Sequence, residues 1–170
     1  MVKALFLDRD GVINVEKDYL YKIEDFEFID GIFKLCKYYL ELGYKIFIVT
    51  NQSGIARGYY TDNDFNILTS WMLERFKKEG IDISKVYYCS HHPNISVECD
   101  CRKPKPGMLI QAAKEFNIDL QHSIILGDKE RDIEAGLNAG LLETYLFDEK
   151  SKIKNSKATK VIQKLEELIC

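Results

Sequence analysis

Short apolar runs alternate along this chain with longer segments whose apolar positions recur every three or four residues. The first run closes on an acid and predicts a strand over about Lys3 to Asp8. Residues 11–29 scatter Tyr19, Tyr21, Phe26 and Phe28 among charges and read as a loop or hairpin. After Asp30, the stripe Ile32, Phe33, Leu35, Cys36, Tyr39 and Leu40 predicts a helix, with Gly43 as its stop. Lys45 to Thr50 is apolar and β-branched, as suits a strand covered on both faces. Thr61 with Asp64 reads as a capped start for a helix carrying Phe65, Leu68, Met72 and Phe76 and ending at Gly80. Val86 to Cys89 is a third strand. Pro106 sits at a first helical position, ahead of Met108, Leu109, Ala112, Ala113 and Phe116. Ser123 to Asp128 is a fourth strand, followed by a short helix with Ile133, Gly136 and Leu137 that ends near Gly140. Thr144 to Phe147 is a fifth strand, and Val161 to Ile169 is expected to form a terminal helix.

Strand alternating with helix means an α/β chain with a central parallel sheet and right-handed crossovers. Ligands of such sheets gather beyond the carboxyl ends of the strands. Four polar clusters are expected at that edge: Asp8-Arg9-Asp10, Thr50-Asn51-Gln52-Ser53, Lys103, and Gly127-Asp128-Lys129. At 170 residues, one domain over 1–170 is expected. The net charge of −3, with both signs interspersed, points away from nucleic-acid and membrane partners. The amino terminus meets Asp8 too early for a signal-peptide apolar region. A cytoplasmic, monomeric protein is the expectation.

The chemistry starts at Asp8 and Asp10. On an extended chain two positions apart point the same way, and Gly11 then lets the backbone turn. Two carboxylates held that close call for a divalent cation, although an acidic solvated turn is the plainer reading. Asp8 and Asp128 can hold Mg²⁺, and one carboxylate can attack phosphorus. Thr50, backbone amides and Lys103 can hold phosphoryl oxygens. Taken singly, Thr50 is a strand-end cap and Lys103 a surface lysine.

The strings Phe6-Leu7-Asp8-Arg9-Asp10-Gly11, Val49 to Gly58, Cys101-Arg102-Lys103-Pro104 and Gly127-Asp128-Lys129 resemble the four motifs of the haloacid dehalogenase superfamily of phosphatases. More narrowly they resemble the D,D-heptose 1,7-bisphosphate phosphatases and the related histidinol-phosphate phosphatase domains. The resemblance runs from residue 4 to about 140 and implies a Rossmann-like three-layer sandwich. It makes Asp8 the nucleophile and a Mg²⁺ ligand. Asp10 becomes the acid and then the base, and gives Mg²⁺ its backbone carbonyl. Thr50 and Lys103 would stabilise the phosphoryl group, and Asp128 would complete the Mg²⁺ ligands. Glu16, Lys17, Asp18, Tyr19, Asn51, Gln52, Ser53, Arg102 and Lys129 would contact substrate. Asp132 is either a support for the site or a solvated first-turn acid.

Five cysteines without an export signal argue against a disulfide framework, and three of them fall in thirteen positions beside two histidines. Cys89-x-His91, then Cys99-x-Cys101, suits tetrahedral Zn²⁺ in a closed structural site on a loop over about 89–101. His92 competes with His91, and free buried thiols are the alternative. Cys36 reads as core, and Cys170 carries no assignment.

About forty residues separate Asp10 from Thr50 and about fifty separate Thr50 from Lys103. Predicted elements use most of them, so no separate cap domain is expected, only a roof from the 14–29 loop and the zinc loop. Arg57, Arg102 and Lys129 are available for a second phosphate. The resemblance favours removal of the 7-phosphate of heptose 1,7-bisphosphate through an aspartyl-phosphate, on the route to nucleotide-activated heptose. Histidinol phosphate is the alternative substrate. A non-catalytic zinc-bearing interaction module is the alternative of another class.

Overall fold

A computed structural model describes residues 1–170. Its six strands form one parallel sheet: β1 (Ala4–Leu7), β2 (Lys45–Asn51), β3 (Ile83–Cys89), β4 (Ile124–Gly127), β5 (Glu143–Phe147) and β6 (Lys160–Ile162). The helices are α1 (Ile32–Glu41), α2 (Asp62–Lys78), α3 (Gly107–Phe116) and α4 (Glu130–Ala139). The sheet order is β3-β2-β1-β4-β5-β6. The chain winds outward from β1 through β2 to β3, then returns to the other side of β1 with β4. The winding direction reverses between β1 and β4, which opens a crevice at their carboxyl ends.

β1 shows why the sheet is covered on both faces. Successive side chains of a strand point to opposite sides. Leu5 and Leu7 join a core with Leu35, Cys36 and Tyr39 of α1 and Leu68, Met72 and Phe76 of α2. Ala4 and Phe6 join the other core with Met108, Leu109 and Ala112 of α3. All four β1 residues are fully buried. Burial on both faces makes the strand read as a continuous apolar run. The result is the expected three-layer arrangement.

The 11–29 segment is hairpin-like: Val15 N–H donates to Glu27 O at 2.8 Å and Ile29 N–H to Ile13 O at 2.8 Å. It contains one 3-10 turn, Ile23–Asp25, and no sheet of its own. The segment between β2 and α2 likewise holds only turns, so no cap domain stands over the sheet edge.

The expected terminal helix over Val161 to Ile169 is corrected. Lys160–Ile162 adds a parallel strand to β5, and only Leu165–Leu168 turns, as a 3-10 segment. Ile162, Leu165 and Leu168 are buried at a spacing of three, which imitates helical periodicity. The β-branched pair Val161-Ile162 instead takes up the open edge of β5, where its backbone groups find partners. Glu167 accepts from the N–H groups of Gln163 (2.8 Å) and Lys164 (2.7 Å) and closes the short turn. β3 also starts earlier than Val86, because Ile83 pairs with Ile46 ahead of a register shift. No helix is long and apolar enough to cross a membrane.

Candidate active site

The carboxyl edge of the sheet gathers the polar clusters. β1 runs out as Asp8 N–H bonds to Leu126 O at 3.1 Å, and a tight turn follows in which Ile13 N–H donates to Arg9 O at 2.8 Å. Gly11 has a φ of +89°, and the carboxylate of Asp128 fills the space that any side chain there would need. Glycine is therefore required twice over, by backbone and by neighbour. Asp8, Asp10 and Asp128 line one cavity of about 370 Å³ with Glu16, Asp18 and Tyr19 from the hairpin-like loop.

Asp10 is held by three donors. Arg9 Nη2 and Asn14 Nδ2 each reach its Oδ1 at 3.0 Å, and Gln52 Nε2 reaches Oδ2 at 3.0 Å. Gln52 also donates to Thr50 Oγ1 at 2.9 Å and accepts from the Tyr60 hydroxyl. Thr50 is buried and lies behind the cavity wall rather than in it. The Arg9 guanidinium is 2% exposed and donates to Leu20 O at 2.9 Å, tying the loop to the site. Arg9, Asn14 and Tyr60 were not singled out from the sequence. For Arg9 the signal was there, a lone cation between two acids inside an apolar-flanked turn.

Lys103 arrives from the loop after β3 and is buried. Its ammonium lies 2.6 Å from Asp132 Oδ1 and 3.0 Å from Asp8 Oδ1, and donates to Val49 O at 2.7 Å. Asn51 clamps its backbone: Lys103 N–H donates to Asn51 Oδ1 at 3.0 Å, and Asn51 Nδ2 to Lys103 O at 3.1 Å. Burial works against the lysine's charge, but the carboxylates of Asp132 and Asp8 overcome it and raise its pKa. Asp132 is fully buried, and its other oxygen accepts Lys129 N–H at 3.0 Å. It is no solvated first-turn acid.

Burial raises the Asp8 pKa well above the usual carboxylate range; Lys103 opposes the shift, while Asp132 and Asp128 add to it. Burial likewise raises Asp128, with Asp132 as the next cause. Glu16 is raised by burial and then by Asp10 and Asp128. A site that penalises its own charges this way suits a cation. Carboxylate oxygens of Asp8, Asp128 and Asp132 lie within 4.8 Å of one another. Asp132 is already taken by Lys103 and the Lys129 amide, whereas Asp128 Oδ1 is buried without a partner. The free oxygens thus belong to Asp8 and Asp128, and an oxygen-seeking divalent ion such as Mg²⁺ fits them.

Of the other substrate candidates, Asn51, Gln52, Ser53, Arg102 and Lys129 line the cavity. Lys17 does not. Its ammonium turns back along the loop to Asp25 O at 2.9 Å and to Glu27 at 3.5 Å. Arg57 and Arg131 line the cavity as well.

The second cluster sits where β3 ends. Donor atoms of Cys89, His91, Cys99 and Cys101 lie within 4.8 Å of one another. Cys89 Sγ is 2.8 Å from Cys101 Sγ and 3.5 Å from Cys99 Sγ, and His91 Nδ1 is 3.4 Å from Cys101 Sγ. Three sulfurs and a nitrogen converging on one point can hold a metal ion. His92 stands outside the group, with its Nε2 3.2 Å from Arg57 Nη2. Arg102 follows Cys101 directly and donates to His91 O at 3.4 Å, so the cluster loop steadies a wall of the cavity.

Residues 100–168 match the HAD-hydrolase-like family. Over 150 residues the chain is 55% identical to the D-glycero-alpha-D-manno-heptose-1,7-bisphosphate 7-phosphatase of Campylobacter jejuni, a match covering 88% of this chain and 85% of that one. It is 54% identical over 146 residues to the D-glycero-beta-D-manno-heptose-1,7-bisphosphate 7-phosphatase of Helicobacter pylori, covering 85% and 83%. Among solved structures, a HAD-like phosphatase from Mesorhizobium loti superposes with a TM-score of 0.88 at 36% identity, over 98% of this chain and 82% of that one. The D,D-heptose 1,7-bisphosphate phosphatase from B. bronchiseptica, complexed with magnesium and phosphate, superposes with a TM-score of 0.83 at 27% identity, over 96% of this chain and 94% of that one.

Proposed function

The chain belongs to the haloacid dehalogenase-like phosphatases, and from that premise we propose that it hydrolyses the 7-phosphate of D-glycero-D-manno-heptose 1,7-bisphosphate and releases the heptose 1-phosphate. One observation carries the chemistry. A buried lysine is paired to Asp8 beside a second, partly buried carboxylate, Asp128, whose Oδ1 is buried without a partner. Such a cluster binds badly to water and well to a cation and a phosphoryl group.

In this reading an Asp8 oxygen attacks phosphorus and the bond from phosphorus to the sugar oxygen breaks. Asp10, oriented by Arg9, Asn14 and Gln52, gives that oxygen its proton. It then takes a proton from the water that attacks the aspartyl-phosphate, returning Asp8 and releasing phosphate. Lys103 holds phosphoryl oxygens at the wall that Asn51 fixes. Thr50, behind the wall, accepts from Gln52 Nε2 and so steadies the side chain that holds Asp10. Glu16, Asp18 and Tyr19 face the sugar, with Ser53, Arg102 and Lys129. The family implies Mg²⁺, and Asp8 and Asp128 are the residues that would hold it, with Asp10 beside them. When bound, it offsets the charge gathering between carboxylate and phosphate. The Cys89, His91, Cys99 and Cys101 cluster would hold Zn²⁺ with no open position, a structural role that sets Arg102.

The alternative substrate, histidinol phosphate, carries an ammonium and would meet Arg57, Arg102 and Arg131 in the cavity. A phosphorylated sugar avoids that repulsion. An interaction module has no use for a buried Lys103 between Asp8 and Asp132. We take residues 1–170 to act as one catalytic unit, as a monomer, in the cytoplasm where nucleotide-activated sugars are made.

The test is phosphate release with Mg²⁺ from both anomers of the bisphosphate, from histidinol phosphate and from an aryl phosphate. A preference of about 100-fold or more in kcat/KM for a heptose anomer is expected. Preference for histidinol phosphate would overturn the substrate, and no release from any by zinc-replete protein would overturn the enzyme.

A further inference from the structure

The Gln52 side-chain amide sits at the junction of three groups. Its Nε2 donates to Asp10 Oδ2 at 3.0 Å and to Thr50 Oγ1 at 2.9 Å, while its Oε1 accepts from the Tyr60 hydroxyl. Gln52 is 2% exposed and Tyr60 6%. An amide has a donor end and an acceptor end of nearly the same shape, and a half-turn of its last torsion exchanges them. Thr50 accommodates either end, because a hydroxyl both donates and accepts. Asp10 demands the donor end only while it is ionised. Tyr60 supplies the lasting preference. Its hydroxyl has no other partner, and turning the amide would leave that buried proton without an acceptor. Burial raises the Tyr60 pKa above the ordinary phenol range, so the hydroxyl keeps its proton to donate. The ring is fixed from two sides. It stacks on Tyr21 of the 11–29 segment, with ring centres 5.3 Å apart and planes 13° from parallel. It also packs so close to Gly54 that a side-chain carbon there would lie 2.2 Å from a ring atom.

We infer that Tyr60 is a positioning residue for the reaction: its buried hydroxyl holds the Gln52 amide with the N–H end toward Asp10, and so keeps Asp10 in one orientation while its proton leaves and returns. This rests on the reading of Asp10 as acid and then base. A carboxyl that gives and takes a proton offers its amide neighbour a donor at one moment and an acceptor at the next. A neighbour locked as a donor cannot follow that change. Oδ2 therefore stays engaged by Gln52, and the travelling proton is confined to the lone pairs that Gln52, Arg9 and Asn14 leave open.

The experiment is Tyr60→Phe, which deletes the hydroxyl and keeps the ring. Its kcat and KM are measured on heptose 1,7-bisphosphate, whose sugar oxygen needs a proton to leave, and on nitrophenyl phosphate, whose phenolate leaves without one. On the bisphosphate, kcat is expected to fall about tenfold with KM within about twofold of wild type. On nitrophenyl phosphate, kcat/KM is expected to change by less than about twofold. Gln52→Glu keeps the acceptor toward Tyr60 but has no N–H for Asp10, and is expected to lose at least as much kcat on the bisphosphate. It decides the matter if Tyr60→Phe does not fold. A bisphosphate kcat within about twofold of wild type in either variant overturns the inference. An equal loss on both substrates in Tyr60→Phe also overturns it, since that is the mark of a merely structural tyrosine. So does a loss confined to KM, which would make Tyr60 a sugar contact. Wild-type kcat in Asp10→Asn, or no release from the bisphosphate by wild type, would overturn the mechanism beneath the inference, and either is seen before Tyr60 is changed.

Discussion

The Lys103 ammonium lies 2.6 Å from a carboxylate oxygen of Asp132, and both side chains are buried. The pair ties the loop after β3 to the first turn of α4 and points the lysine at Asp8. Breaking a buried pair strands a charge, so Asp132→Ala should lower unfolding free energy by about 3–5 kcal/mol. Denaturant titration measures it. Asp132→Asn keeps the hydrogen-bonding shape and should cost less stability, yet still lower kcat by about tenfold or more as Lys103 loses its guide. A variant as active and as stable as wild type would deny the pair both roles.

Asp8→Asn should reduce turnover by about a thousandfold or more while leaving the thermal transition in place. The amide cannot attack phosphorus, whereas Lys103 keeps Asp132 and Val49 O as partners. Circular dichroism separates loss of chemistry from loss of fold. Wild-type-like turnover in this variant would sink the aspartyl-phosphate mechanism.

Mg²⁺ should stabilise the protein. At 100 times its dissociation constant the gain is about 2.7 kcal/mol, read as a rise in Tm. Asp8 and Asp128 are both raised by burial, so protons compete with the ion for the same oxygens. The sign follows: the Mg²⁺-induced rise should grow as pH increases through the raised carboxylate range and shrink below it. Asp128→Asn should remove most of the rise. An Mg²⁺ response unchanged by that substitution would place the ion elsewhere.

Cys99→Ser should lower bound zinc, measured by elemental analysis of the purified protein, and lower Tm with it. The loop over residues 92–100 exposes Ile95 and Val97 and has little core of its own, so a metal held by the cluster would be its main anchor. Full zinc retention would remove Cys99 from the ligand set.

Much of this protein was readable along the chain. Five of six strands follow from apolar runs, because strands covered on both faces cannot hide their composition. Thr61 caps α2 as its spacing with Asp64 indicates, with Asp64 N–H donating to Thr61 Oγ1 at 3.1 Å. Motifs that end strands at one sheet edge must converge there, and Asp8, Asn51, Lys103 and Asp128 do. Where a signal was local, a period of two or of three to four residues or a cap, the sequence by itself determined the outcome.

Tertiary structure decided the rest, and in each case the deciding partner is distant in sequence. Asp132 reads equally well as solvated or supporting until Lys103 arrives beside it from another loop. Ile162, Leu165 and Leu168 suit a helix until the open edge of β5 offers backbone partners. Lys17 and Arg57 are both cations near motifs, but one folds back onto Asp25 and the other faces the cavity beside Tyr19. A side chain's charge is written in the sequence, but its value to a site depends on burial and on the groups it meets, and both come from packing between segments that local periodicity does not encode.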